Sequence, residues 1–343
     1  MIISKTPFRI SFFGGGTDYP AWVHEHGGAV IGTTINQYCY ISCRFLPPIF
    51  DHNYRIVYSQ TESTQTIEEI KHPVVKAVLS YLNFDHDRLE IHHDADLPAR
   101  AGLGSSSAFT VGLLSALFSI RKQTIEPLKL ARLAIHIEQE KLREIVGYQD
   151  QTLTAHGGFN RIDFLPDGTI DVAPVFSPLL PKLQNHLMLF YTGHSRFASD
   201  VAKSKVVNFK KNASRLHRLR EMVDEATDRL QGGEKEILWF GELLDEAWQL
   251  KKGLSDKISN DSIDEIYSRA KQAGALGGKI LGAGGGGFML LFAPPELQSQ
   301  VKSALSNIPK LCHIPFEFED HGSHFLLDRE HDFTLTKLHS PDF

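Results

Sequence analysis

Four consecutive glycines, residues 284–287, stand immediately before the apolar run FMLLF and constrain this chain more than any other feature. Fixing so permissive a backbone costs more conformational entropy than fixing any other residue type, so a purely structural explanation of the run is weak. Two more glycine-rich stretches occur, TPFRISFFGGGTDYP at 6–20 and LPARAGLGSSSAFTVGLLSAL at 97–117. Three such loops in one chain suggest one composite site. In the middle stretch, Gly102 and Gly104 remove side chains where the backbone must approach a ligand closely. Ser105 then begins a helix whose first amides lack internal partners. Those amides and the positive end of the helix dipole make a phosphate cradle. The plainer reading is that Ser105 only caps the helix and the glycines only turn the chain. No lysine follows the glycines as in a Walker loop, and the G-x-G-x-x-G spacing of dinucleotide folds is absent.

A chain of 343 residues exceeds what one core usually supports, which implies two domains. The two prolines of FSPLLPKLQNHLMLFYTG place the boundary near residue 180, giving segments 1–180 and 181–343. The first half reads as the short strands RISFF, GAVIGTTI, YCYISCRF, YRIVYS and RLEIHH, a helix near HPVVKAVLSYL, helices from Ser105 and Pro127, and a hairpin about Asp167-Gly168. That half mixes strands and helices without a βαβ rhythm, and the second half reads as three helices, then loop, strand, helix and strand. The fold class is therefore α+β. Net charge is −5, which gives no surface for nucleic acid. No apolar run approaches the roughly 20 residues that cross a bilayer. The N-terminus does not read as a signal peptide, and three cysteines do not make a disulfide framework, so the expectation is a soluble cytoplasmic protein, monomer or homodimer. Alternation in QYCYISCRF predicts a strand with Cys39, Ile41, Cys43 and Phe45 on its core face.

The three stretches, in this order, resemble the motifs of the GHMP kinase superfamily, named for galactokinase, homoserine kinase, mevalonate kinase and phosphomevalonate kinase. PFRISFFGGGTDY, 7–19, matches galactokinase's P-G-R-V-N-L-I-G-E-H-T-D-Y without a gap; Pro98–Ser107 matches P-x-x-x-G-L-G-S-S-A; the glycine loop 282–287 is the third. The resemblance implies a ribosomal S5 domain 2-like N-terminal domain and a ferredoxin-like C-terminal domain, with ATP and Mg²⁺ in the cleft between them. Pro98, Gly102, Leu103, Gly104, Ser105, Ser106 and Ser107, with Gly284 and Gly285, would hold the nucleotide. One of the three serines would ligate Mg²⁺; the extra serine leaves the register open, with Ser106 as the working choice.

IEQEKLREIVGYQDQ carries an acid and, twelve positions on, an aspartate followed by glutamine, as in galactokinases. By that similarity Glu138 is a metal ligand, with Glu140 as runner-up, and Asp150 is the general base. Arg9 would sit beside Asp150 and favour its ionised form. Gly15, Gly16, Thr17, Asp18 and Tyr148 would meet the acceptor. Gly15 and Gly16 replace the glutamate and histidine of galactokinase, which argues against galactose. The tetraglycine loop with Lys279, the sequence GYQDQ and YTGHSRFASDVAK most closely resemble kinases of D-glycero-D-manno-heptose 7-phosphate, with fucokinases as the rival. A sugar phosphate needs a second anion site, for which Lys279, Arg196, Lys203 and Lys205 are candidates. A non-catalytic ATP and sugar sensor is the alternative of another class. A nicotinamide oxidoreductase is disfavoured for want of the fingerprint.

Overall fold

The computed structural model describes residues 1–99, 101–193, 204, 206–233 and 235–328. Strands β1 (Ile2–Phe13) and β2 (Gly28–Phe45) form the antiparallel spine of the larger sheet. Two strands expected from GAVIGTTI and YCYISCRF are one, running through Asn36 and Gln37 opposite a register shift at Pro7/Phe8. Proline gives no N–H to a ladder, and a bulge there bends the pair without ending it. The two halves of β2 take different neighbours: β6 (Phe159–Phe164) along residues 28–33, β5 (Leu89–Ala95) along 39–45. Strands β3 (Tyr54–Val57) and β4 (Thr61–Thr64) extend the sheet past β5, and β7 (Ile170–Pro174) completes the hairpin at Asp167-Gly168. Cys39 and Cys43 are buried as the alternation predicts, but Phe45, at the strand's end, is 41% exposed.

Helix α3 (Ser105–Ile120) lies across β1 and β2 with every residue from Ser107 to Leu117 buried. Its small and apolar residues surround the axis, so no face is left for water. Ser4 Oγ donates to the Gly112 carbonyl at 2.9 Å, fixing the helix where it has least bulk. Around it stand α1 (Pro20–His26), α2 (Pro73–Tyr81), α4 (Pro127–His136), continued by a wider π turn at Ile137–Lys141, and α5 (Gln149–His156).

After α6 (Leu180–His186) the chain builds an antiparallel second sheet, ordered β11 (Cys312–Ile314), β8 (Leu187–Tyr191), β10 (Phe288–Phe292), β9 (Gly277–Ile280). Helix α7 (Ala213–Gln231) packs on β1 and β2 of the first sheet and on α8 (Leu238–Lys252), which accompanies the second sheet with α9 (Asp261–Gln272) and α10 (Gln298–Leu305). GGKI, read as loop from sequence, is strand β9. Its glycines are poor strand formers, yet a Cβ at Gly277 would stand 1.9 Å from the Gly241 carbonyl, because α8 rests on the strand's backbone. HIPFEFE is split between sheets: residues 312–314 join the second, whereas β12 (Phe318–Glu319) pairs with β2 and β13 (His324–Asp328) with β1. The first sheet thus draws strands from both sides of residue 180.

One continuous core links the sheets. Phe12 and Phe13 at the end of β1 meet Phe240 of α8 at ring distances of 5.3 and 5.0 Å, and Phe12 stacks on Phe159 at 5.4 Å. Truncating a fully buried ring such as Phe240 to alanine costs about 3–5 kcal/mol. This joint fixes the end of β1 against the second sheet.

Candidate active site

The three glycine-rich segments meet. Residues 101–104 lie backbone to backbone on 281–288: Phe288 N–H donates to Ala101 O at 3.1 Å, and a Cβ on Gly102 would stand 2.6 Å from the Leu281 carbonyl. Gly284–Gly287 all have positive φ, at 111°, 80°, 154° and 92°, which only glycine adopts readily in succession. β1 joins through Arg9, whose N–H donates to Leu103 O at 3.0 Å and whose Nη1 donates to Gly102 O at 2.8 Å. Gly104 leaves the room the guanidinium arm needs; a Cβ there would be 3.0 Å from Arg9 Cγ. Gly104 also precedes α3 without a capping side chain, so the helix opens on backbone alone.

Asp150 lies in the first turn of α5 and closes a two-pronged pair with Arg9: Nε donates to Oδ1 at 2.7 Å and Nη2 to Oδ2 at 2.6 Å. Paired hydrogen bonds of this kind fix direction as well as distance. Arg9 is 3% exposed and Asp150 28%, so the carboxylate is the accessible member. Gln151, next in the chain, turns the other way and donates from Nε2 to Glu138 Oε2 at 2.5 Å. Glu138 is buried in the π turn after α4 and also accepts from Ser107 Oγ at 3.1 Å. Burial pushes its carboxyl up to about 7, against the hydrogen bonds from Thr110, Gln151 and Ser107. Its Oε1 is buried without a partner among the described residues.

Ser107, not Ser106, therefore faces Glu138; Ser106 is exposed on the first turn of α3 and Ser105 is half-buried. Glu140, the runner-up acid, is exposed. Asp18 is buried, with Oδ1 accepting from Gly16 N–H at 3.0 Å and Oδ2 from Gln149 N–H at 3.4 Å. Its neighbour Tyr19 has a hydroxyl pushed above its usual range, first by burial and then by the charges of Asp18 and Asp150.

Other expected ligand contacts are taken up by the protein itself. The Thr17 hydroxyl is buried 2.8 Å from Gly14 O and 3.0 Å from Ala29 O, tying the turn to β2. The Tyr148 ring packs on Phe164 at 5.7 Å, beside Val23 and Ile135, while its N–H donates to Asp18 O. Lys279, expected near a phosphate, is buried and its Nζ donates to Ser11 O and Phe12 O at 3.0 and 2.6 Å, joining β9 to β1. Leu103 sits in the core, Pro98 is exposed, and the Gly285 N–H donates to Ile258 O at 2.8 Å. Gly284 packs on the same Ile258. Arg196, Lys203 and Lys205 lie outside the described residues.

Several contributors escape a reading of motifs. Lys251 of α8 is buried and donates to Ile280 O and Gly282 O, at 2.6 and 2.7 Å, holding the third loop. Gly147 leaves room for Asp18, whose Oδ2 a Cβ there would meet at 1.9 Å. Gln151 was legible only as the residue after the aspartate. No group of three or more His, Cys, Asp or Glu able to hold a metal occurs among the described residues, so a cation here would rest on Glu138, a hydroxyl and its own ligands.

The model of the GHMP kinases N terminal domain matches residues 70–158, and that of the GHMP kinases C terminal region matches residues 233–310. A D-glycero-alpha-D-manno-heptose 7-phosphate kinase of Campylobacter jejuni is 29% identical over 321 residues, covering 89% of this chain and 93% of that protein. The bifunctional fucokinase/GDP-fucose pyrophosphorylase of Arabidopsis thaliana is 28% identical over 84% of this chain, which spans 29% of the plant protein. Among solved structures, a D-glycero-D-manno-heptose 1-phosphate kinase from Bacteroides thetaiotaomicron superposes with a TM-score of 0.79 at 24% identity, covering 96% of this chain and all of that one. This last likeness is one of fold.

Proposed function

The chain belongs to the GHMP kinases, which use ATP as phosphate donor, and from that premise we propose that it phosphorylates the anomeric hydroxyl of D-glycero-D-manno-heptose 7-phosphate. The observation that carries the catalytic part is the two-pronged Arg9–Asp150 pair, set where the first glycine-rich segment touches the second. Phosphoryl transfer is mostly positioning and neutralisation of charge. Asp150 would accept the hydrogen bond of the acceptor hydroxyl and orient its oxygen toward the γ-phosphorus. As the new P–O bond forms and the bond to the β-phosphate oxygen breaks, the hydroxyl proton passes to Asp150 and ADP leaves. Arg9 keeps the carboxylate in one orientation throughout. The start of α3, with its uncapped backbone, would lie against the phosphates.

A divalent cation fits the residues on the other side of α5. Glu138 offers a buried oxygen without a partner among the described residues, and its carboxyl is raised toward neutrality by burial first and then by the charge of Glu144, a condition a cation would relieve. Glu138 and the Ser107 hydroxyl would hold Mg²⁺, which supplies neutralisation of the phosphate oxygens.

The heptose substrate is supported by the Campylobacter jejuni relative, which matches along 93% of its own length. The glycines at 15 and 16 support an acceptor larger than galactose, since a Cβ at Gly15 would meet nothing nearer than 3.8 Å. No helix among the described residues is long and apolar enough to cross a membrane, and a cytoplasmic site of action belongs to this proposal. The test is ADP release over a panel of sugars and sugar phosphates, with phosphorus NMR of the product. A 1,7-bisphosphate product is expected. Turnover of free fucose and none of the heptose phosphate would replace the substrate, whereas binding of ATP and sugar without ADP release would favour a sensor.

A further inference from the structure

Resting on the sugar-kinase reading above, we infer that Ser11 and Gln149 form the wall that selects the acceptor, recognising an uncharged, hydroxyl-bearing part of it in the space over Gly15. Ser11 Oγ and Gln149 Oε1 are both buried and without a hydrogen-bond partner among the described residues. Buried polar side chains are nearly always partnered, and an exception calls for an explanation. Their side chains meet at one glycine: a Cβ built on Gly15 would stand 3.8 Å from Ser11 Oγ and 3.8 Å from Gln149 Nε2, the other end of the same carboxamide.

The location is beside the Arg9–Asp150 pair. Arg9, Ile10 and Ser11 pair in regular register with Thr34, Thr33 and Gly32, so Arg9 and Ser11 point to the same face of β1. Gln149 immediately precedes Asp150 on α5. The backbones of both residues are engaged. Ser11 O accepts from Lys279 Nζ, and Gln149 N–H donates to Asp18 Oδ2. Lys279 thereby acts on the acceptor indirectly, by fixing the strand end that carries Ser11.

The chemistry of the wall is neutral and two-way. A serine hydroxyl and a carboxamide each donate and accept, as sugar hydroxyls do. The Asp18 and Asp150 carboxylates beside them repel an anionic group. A sugar phosphate would accordingly enter with its polyol end toward Gly15 and its phosphate directed away. A side chain at position 15 would occupy the volume the hydroxyls need.

Three variants test this: Ser11→Ala, Gln149→Leu and Gly15→Ala. The last adds a methyl that meets no protein atom within 3.8 Å, so a folding defect does not explain its effect. Steady-state kinetics with the sugar panel should show KM for the acceptor rising about tenfold in each, with KM for ATP changed by less than about twofold, the scale of one lost buried hydrogen bond. Monodeoxy acceptors sharpen it. One of them should lose about tenfold in kcat/KM with the wild-type protein and show no further loss with Ser11→Ala or Gln149→Leu. Wild-type turnover with acceptor KM unaltered in all three variants, or deoxy losses simply multiplying those of the variants, overturns the wall and leaves the kinase intact. Absence of ADP release by the wild-type protein with every sugar overturns the sugar-kinase reading itself, and this inference with it.

Discussion

The two acids on either side of the first turn of α5 receive opposite treatment. Asp150 has both oxygens held by a buried guanidinium that is part of the chain, and 28% of its side chain remains exposed. Glu138 is sealed among Ser107, Thr110 and Gln151, with one oxygen unpartnered among the described residues and no fixed cation beside it, and its carboxyl is raised to about 7. A carboxylate whose two oxygens are held by a built-in guanidinium keeps one fixed direction in an open site. One that is buried without such a partner is raised toward its neutral form, a condition that a cation would relieve. Adjacent residues connect the two regions: Asp150 meets Arg9, and Gln151 reaches from the same turn of α5 to Glu138 in the π turn after α4.

The largest test removes the first carboxylate. Asp150→Asn should lower turnover by about 10²-fold or more with ATP affinity nearly unchanged, read by ADP release and nucleotide titration. Because it leaves Arg9 buried without its charge partner, a thermal melt should show a lower Tm as well. Unaltered turnover would remove Asp150 from the mechanism.

The second test concerns pH and stability without metal. The Glu138 carboxyl is raised in the folded protein above its ordinary 4.5, so the folded state holds the proton more tightly. Its favourable contribution is complete below about 4.5 and is lost as pH rises through about 7, on the order of 3 kcal/mol in all. Denaturant unfolding in chelator between pH 5 and 8 should show this fall for the wild type and a flatter profile for Glu138→Gln. Parallel profiles would end the contrast between the two acids.

Smaller effects separate ligand from support. Glu138→Gln should raise the Mg²⁺ concentration for half-maximal activity about 10–100-fold, while added Mg²⁺ should suppress the wild-type pH dependence. Gln151→Leu, which removes only the donor to Glu138 Oε2, should raise the same requirement by less, with acceptor KM unaffected. Equal metal requirements in wild type and both variants would place the cation elsewhere.

The grouping of the candidate residues was legible in part from the sequence. Motif and spacing singled out Arg9, Asp18, Glu138 and Asp150, and the structure brings all four beside the first and second glycine-rich segments and α5. Strand alternation gave Cys39 and Cys43 to the core, and α3 and α4 begin at Ser105 and Pro127 as read from the sequence. The misreadings have physical causes. β9 was hidden because two of its four residues are glycine, and the single β2 looked like two strands because a bend at Asn36-Gln37 resembles a turn locally. Lys279 looked like a phosphate ligand because proximity to a glycine loop says nothing about the carbonyls across the sheet that take its protons.

The sequence by itself determined which residue types stand ready: free-turning glycines, hydroxyls at a helix start, and two acids twelve positions apart. These depend on near neighbours along the chain, where spacing and backbone geometry suffice. Only the tertiary structure decided that Gly14 is a packing necessity, its Cβ position being 1.9 Å from the Ala29 carbonyl, while Gly15 beside it faces the polar side chains of Ser11 and Gln149. It also set Ser107, rather than Ser106, against Glu138 and turned Lys279 inward. Each of those outcomes depends on atoms from distant parts of the chain, and which of them arrive is settled by how the two sheets pack around Phe12, Phe13 and Phe240.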